Sequence, residues 1–213
     1  MSKPETVQYV DKLLVNNSCF FRMYEIGKDS PKTRALAALI SKAVEQPFYT
    51  EMRTNQQLGY IVGSYPMNYD ETYYLNFLIQ SGDYPADDLN SRANTFISST
   101  PKIVEELTDE TFQQLVDSAI ERLERKPMSI SERAMKNKSL IFEYNKDFER
   151  DNKTIEALRE VKKEEVAVHL EKIILEKSRK MANILAFAED HANKSNVKSS
   201  FTDLEGWKST KIY

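Results

Sequence analysis

Apolar positions along this chain switch between two spacings, and the switches mark its elements. Residues 19–26 are rich in aromatic and branched side chains and stop at Gly27, which predicts a strand. Ser30 and Pro31 then offer an N-cap and a favoured first helical residue. Leu36, Ile40, Ala43, Val44, Phe48 and Met52 follow at helical spacing with one buried face. Pro47 predicts a bend or restart, so that a second helical piece carries Arg53 in its last turn. Two strands come next, over 60–65 and 72–81, joined antiparallel by a loop over 66–70. In the second, Tyr73, Leu75, Phe77 and Ile79 share the face expected to be core. Tyr74, Asn76, Leu78 and Gln80 share a face polar enough to meet solvent or line a cavity.

From Leu89 the spacing turns helical through Phe96, Ile97, Ile103, Val104 and Leu107. Thr108, Asp109 and Glu110 open a further helix, whose apolar stripe runs from Phe112 to Leu123 before Pro127 closes it. Ser129 and Glu132 have capping-box spacing and start another, reaching about Tyr144. A short helix containing Ile155 and Leu158 follows Asp151 and Asn152; another spans 163–176, and 181–188 returns as a strand. Residues 7–15 supply one more strand before Cys19. This order predicts a single α+β domain, an antiparallel or mixed sheet with helices packed on one face, over residues 1–190. Residues 191–213 read as a polar C-terminal tail, which Phe201, Leu204 and Trp207 can dock back onto the domain.

Composition narrows the function classes. The 213 residues include 30 basic and 33 acidic side chains, a net charge of −3, so no field of one sign calls for nucleic acid. No window approaches ~18 consecutive apolar residues, and the first residues lack a secretory core, so the chain reads as soluble, cytoplasmic or periplasmic, with no membrane partner. Cys19 is the one cysteine and reads as a small core residue, although sequence leaves open a thiol–imidazole pair with His169. The other histidine is His191. Neither belongs to a His-x-x-Glu-His sequence, and His169 with Glu165 and Glu171 reads as a charged helix face, so no metal ligands and no catalytic residues are assigned in this chain. No Gly-x-Ser-x-Gly elbow occurs.

The chemistry that does stand out lies between a helix end and a strand. Arg53 and Tyr60 flank Thr-Asn-Gln-Gln-Leu-Gly, and both are donors suited to a peptide carbonyl or a developing oxyanion. The plainer alternative is that Arg53 complements a helix C-terminus and Tyr60 is an amphipathic strand residue.

Arg53-Thr54, then Gln57-Leu58-Gly59-Tyr60 running into Ile61-Val62, resembles a motif in the last domain of the insulin-degrading enzyme and pitrilysin family of inverted-motif zinc peptidases. Further matches follow in order, at 75–81, 123–127 and 148–152, within a resemblance covering roughly 16–190. The resemblance implies the fourth of four related α+β domains, with catalytic zinc in the first and peptide enclosed between two halves. It implies that this domain is non-catalytic, carries no cofactor, and offers Arg53 and Tyr60 for substrate binding. Its partners are then peptide substrate and the zinc-binding half, on the same or another polypeptide. The alternative is a freestanding helix-rich adaptor or peptide-binding module without hydrolytic function.

Overall fold

The computed structural model describes residues 6–177, 179–191, 197–201 and 203–209. Five strands, β1 (Thr6–Lys12), β2 (Ser18–Lys28), β3 (Ile61–Tyr69), β4 (Thr72–Ser81) and β5 (Met181–Phe187), form one sheet in the order β1-β5-β2-β4-β3. β1 runs parallel to β5 while the other neighbouring pairs are antiparallel, so the sheet is mixed. The helices are α1 (Pro31–Tyr49), α2 (Ala86–Glu105), α3 (Asp109–Glu124), α4 (Ile130–Phe142), α5 (Arg150–Glu160), α6 (Lys163–Leu175) and α7 (Leu204–Ser209).

Register explains which sheet face the helices cover. Phe20 pairs with Ile79 and Leu185, and Tyr24 with Leu75. Their side chains and that of Phe77 therefore share one face, and all six are buried to 2% exposure or less. Phe77 meets Tyr24 and, from α1, Phe48 edge-on. The α+β class with helices on one face is thus the observed one.

The predicted caps hold the helix starts. Ser30, Thr108 and Ser129 each accept a bond from the backbone N–H three residues on, at 3.1 Å. Glu132 reaches back to the Met128 N–H at 2.8 Å, the reciprocal half of a capping box shifted by one residue.

Four expectations need correction. Helix α1 passes through Pro47 without restarting; the change comes at Thr50, where a π-helical turn, Thr50–Asn55, takes over. Residues 66–70 are not a loop. β3 extends to Tyr69, because an edge strand tolerates the missing N–H of Pro66. The turn shrinks to Asp70 and Glu71, with φ of 47° and 54°, the left-handed pair of a type I′ hairpin. Helix α5 starts at Arg150, so Asp151 lies inside its first turn rather than before it. Cys19 sits half-buried on the uncovered sheet face, since β2 begins at Ser18 and alternation sends Phe20 and not Cys19 inward.

Two buried charged clusters brace the helix side. Arg22, 4% exposed, donates to Asn183 at 3.1 Å, Asn94 at 2.9 Å and Asn90 at 2.7 Å, which satisfies a buried cation with amide carbonyls. Asp29 accepts from Arg150 at 2.6 Å and Arg34 at 2.9 Å, and Arg150 also donates to the Tyr73 hydroxyl at 3.0 Å. Burial raises the Asp29 carboxyl, but the bonds and charges of Arg150 and Arg34 outweigh it and hold it below the usual carboxylate range. Arg150 belongs to the stretch 148–152 that carries part of the family resemblance, so that stretch has a structural reason.

At the other edge, the chain after residue 196 lies along β1. Ser200 N–H donates to the Gln8 carbonyl at 2.7 Å, and the Ser199 hydroxyl accepts from Val10 N–H at 2.8 Å. Phe201 stacks on Tyr9 at 5.7 Å and on Trp207 at 4.7 Å. Residues 192–196, 202 and 210–213, and the side chain of Leu204, lie outside the described residues.

Candidate functional site

The turn that carries Arg53 is anchored at both ends. Gln56 N–H reaches the Glu51 carbonyl at 3.0 Å, and Leu58 N–H reaches the Met52 carbonyl at 3.0 Å. Gln57 between them takes φ of 52°, a left-handed residue that ends the helix as in a Schellman turn. Met52 and Leu58 are fully buried. Glu51 accepts from Asn55 and Gln56 at 2.8 Å each, and those bonds lower its carboxyl. Gln56 in turn accepts from Arg92 of α2 at 3.3 Å.

Gly59 brings this turn against β4. A Cβ there would overlap the backbone carbonyl of Gln80, so only glycine permits the approach. Tyr60 then emerges just before β3 with 90% of its surface exposed. The Arg53 guanidinium carbon lies 5.0 Å from the Tyr60 ring centroid, a cation–π distance. The structure therefore brings together the two residues singled out from sequence. Among the described residues, neither the guanidinium nor the phenol hydroxyl donates a hydrogen bond.

A cleft of about 450 Å³ opens here, lined by Asn17, Arg53, Tyr60, Gln80 and Asp83 among others. Asn17 and Asp83 escaped the sequence reading because they come from the strand ends that meet this turn in space. Gln80 carried a signal, as the last member of the alternating face of residues 72–81. That face is the uncovered one, so the cleft sits at its rim.

Other candidates do not converge. His169 Nε2 lies 3.0 Å from the Ile26 carbonyl, and burial lowers its pKa, assisted by Lys172. Ile26 is seven residues along β2 from Cys19, about 23 Å of strand, so the structure does not form a Cys19–His169 pair. Glu165 pairs with Lys32. His191 Nδ1 lies 3.1 Å from the Ser18 hydroxyl. Among the described residues, no three His, Cys, Asp or Glu side chains are grouped to hold a metal ion.

Comparison with known proteins fits this arrangement. Residues 39–138 match a family described as PQQ synthase PqqF-like, C-terminal lobe domain 4. Human insulin-degrading enzyme is 31% identical over 160 residues, covering 74% of this chain and 16% of that protein. Protease 3 of Escherichia coli K12 is 24% identical over 182 residues, covering 85% of this chain and 18% of its own length. The crystal structure of pitrilysin superposes with a TM-score of 0.79 at 22% identity, covering 96% of this chain and 22% of that one. Fold and matches together define a C-terminal-lobe domain of a peptidase family. The chain belongs to the insulin-degrading enzyme and pitrilysin family, and it spans about a sixth of the length of the relatives it matches.

Among the described residues, no helix is long and apolar enough to cross a membrane.

Proposed function

We propose that this chain is a non-catalytic domain of a zinc metalloendopeptidase, which helps enclose a peptide and positions its backbone for hydrolysis at zinc in a separate domain. The observation that supports it is the pairing of Arg53 with Tyr60 at an open cleft, with their donors unspent. The ring contact leaves the guanidinium N–H fork free of hydrogen-bond partners among the described residues, and the exposed phenol adds a second donor. Both suit carbonyl oxygens, which every peptide offers, so such a pair holds substrates of varied sequence. If the scissile carbonyl lies within reach, the same donors stabilise the charge that develops on its oxygen. The zinc-binding partner, on the same or another polypeptide, would hold the metal and supply the water-activating chemistry. This chain's residues hold and orient.

The test is peptide turnover and zinc content of the assembled enzyme carrying Arg53→Ala. Turnover should fall with zinc content unchanged. An unaltered turnover would remove the substrate role of Arg53. The adaptor reading gains if no His-x-x-Glu-His region accompanies this one, upstream or on a partner chain.

A further inference from the structure

The Arg53–Tyr60 cleft is two-sided in its hydrogen-bonding chemistry. The guanidinium and the phenol supply donors for peptide carbonyls, but every non-proline residue of a peptide also carries an N–H that needs an acceptor once water is excluded. Side-chain acceptors reach this cleft from Asn17, Gln80 and Asp83. Among the described residues, none of these three side chains makes a hydrogen bond or an ion pair.

Gln80 differs from the other two in how it is held. Asn17 precedes β2 and Asp83 follows β4, so both lie outside the strands, whereas Gln80 lies within β4, flanked by β2 and β3. It pairs with Cys19 on one side and Ile61 on the other, and such a strand position aims a side chain more precisely than a loop does. Alternation turns Cys19 and Ile61 to the same uncovered face. Neither competes for the amide, since Ile61 is an alkyl group and burial raises the Cys19 thiol, which stays an uncharged, weak partner. Ile61 follows Tyr60 directly, so Gln80 stands beside the donor pair. Gln80 itself is half-buried, and its amide is unspent.

In extended backbone the N–H and C=O of one residue point the same way, which is why residues of an antiparallel pair can exchange both bonds. A primary amide offers the matching set in one plane, an oxygen that accepts and an NH2 that donates. A carboxylate such as that of Asp83 only accepts. We infer that Gln80 is a further substrate-positioning residue, whose side-chain amide accepts the N–H and donates to the C=O of one extended peptide residue next to the carbonyl held by Arg53 and Tyr60. The inference rests on the peptide role proposed for that pair, and it adds register. Donors alone hold any carbonyl, whereas a two-way bond also requires a free N–H at a fixed place along the peptide. Proline or an N-methylated residue is disfavoured there.

The test is kcat/KM of the assembled enzyme on a peptide series in which each amide near the scissile bond, but not the scissile bond itself, is replaced in turn by an ester. Each ester removes one N–H and leaves the side chains as they are, and mass spectrometry confirms the bond cut. In the unaltered enzyme one ester position should lower kcat/KM about fivefold to tenfold. Gln80→Leu should lower turnover of the all-amide peptide by a similar factor and abolish the sensitivity to that ester, while Gln80→Glu, which keeps the acceptor, should retain it. Each comparison is a ratio within one variant, so a loss of stability cannot imitate it. If Arg53→Ala lowers turnover but Gln80→Leu remains as ester-sensitive as the unaltered enzyme, or no ester position matters, this inference alone is overturned. If Arg53→Ala leaves turnover unaltered, the peptide role of the cleft fails and this inference with it.

Discussion

Both faces of the sheet carry apolar residues, yet the helices α1 to α6 cover only one. On the helix side, Phe20, Leu75, Phe77, Ile79 and Leu185 are fully buried. On the other, Phe21, Met23 and Leu78 are half-buried, while Ile61, Tyr65, Met67, Tyr69 and Ile184 stand exposed, Tyr69 by 70%. A sheet facing water normally alternates apolar and polar residues, so a second apolar face marks a surface meant to be met by something else. Packing is concentrated on one face, and the Arg53–Tyr60 cleft, which the proposed function assigns to peptide, lies at the rim of the other.

That contrast is broken most strongly by substitutions on the helix side. Phe77→Ala leaves a cavity beneath Tyr24 and Phe48 and should cost about 3–5 kcal/mol, whereas Leu78→Ala on the open face should cost on the order of 1 kcal/mol. Denaturant unfolding of both variants checks the difference; equal losses would mean the open face is already packed. Asp29→Ala strands the buried cations Arg34 and Arg150 and should also cost about 3–5 kcal/mol.

Next in size is the rim. Gly59→Ala forces the turn away from the Gln80 carbonyl and should cost about 1–3 kcal/mol through strain. It should also separate Arg53 from Tyr60, which a crystal structure of the variant would reveal.

Acidification should weaken the helix side in two stages. His169 has a lowered pKa in the fold, so its contribution is full above the unfolded value of about 6.5 and is lost as pH falls through the lower folded value. Asp29 is also lowered, so its contribution persists to about pH 4 and vanishes below. Melting temperature against pH should lose the upper stage in His169→Gln and keep it in Asp29→Asn.

The smallest stability effects belong to the open face. Tyr65→Ser with Met67→Ser should leave the melting temperature within a degree or two of the original while weakening association with the catalytic half in sedimentation. Unchanged association would place the docking surface elsewhere.

Much of this division was legible in the sequence because it rests on short-range rules. Caps at Ser30, Thr108 and Ser129 announce themselves by residue type, and alternation in residues 72–81 separates core from open face. What stayed hidden depends on partners distant in sequence. The Asp70–Glu71 turn contains no glycine or asparagine to signal left-handed backbone, and Pro66 reads as a breaker unless its strand is known to lie at an edge. Nothing in the sequence marks Arg22, Arg34 and Arg150 as buried, because Asn90, Asn94, Asn183 and Asp29 reach them only in the fold. The Arg53–Tyr60 pair was legible as a motif, and Gln80 as part of a face able to line a cavity, but the cleft itself was not, since Asn17 and Asp83 arrive from other strand ends.

The most direct test concerns Tyr60, whose side chain is exposed on this domain and has no packing role visible in the fold. In the assembled enzyme, Tyr60→Phe should lower peptide turnover about a hundredfold, roughly 3 kcal/mol of lost transition-state stabilisation. The melting temperature of the isolated chain and the zinc content of the assembly should not change. Turnover per folded molecule equal to that of the unaltered enzyme, together with a destabilised chain, would show that the phenol is structural and contradict the division of labour between the two faces.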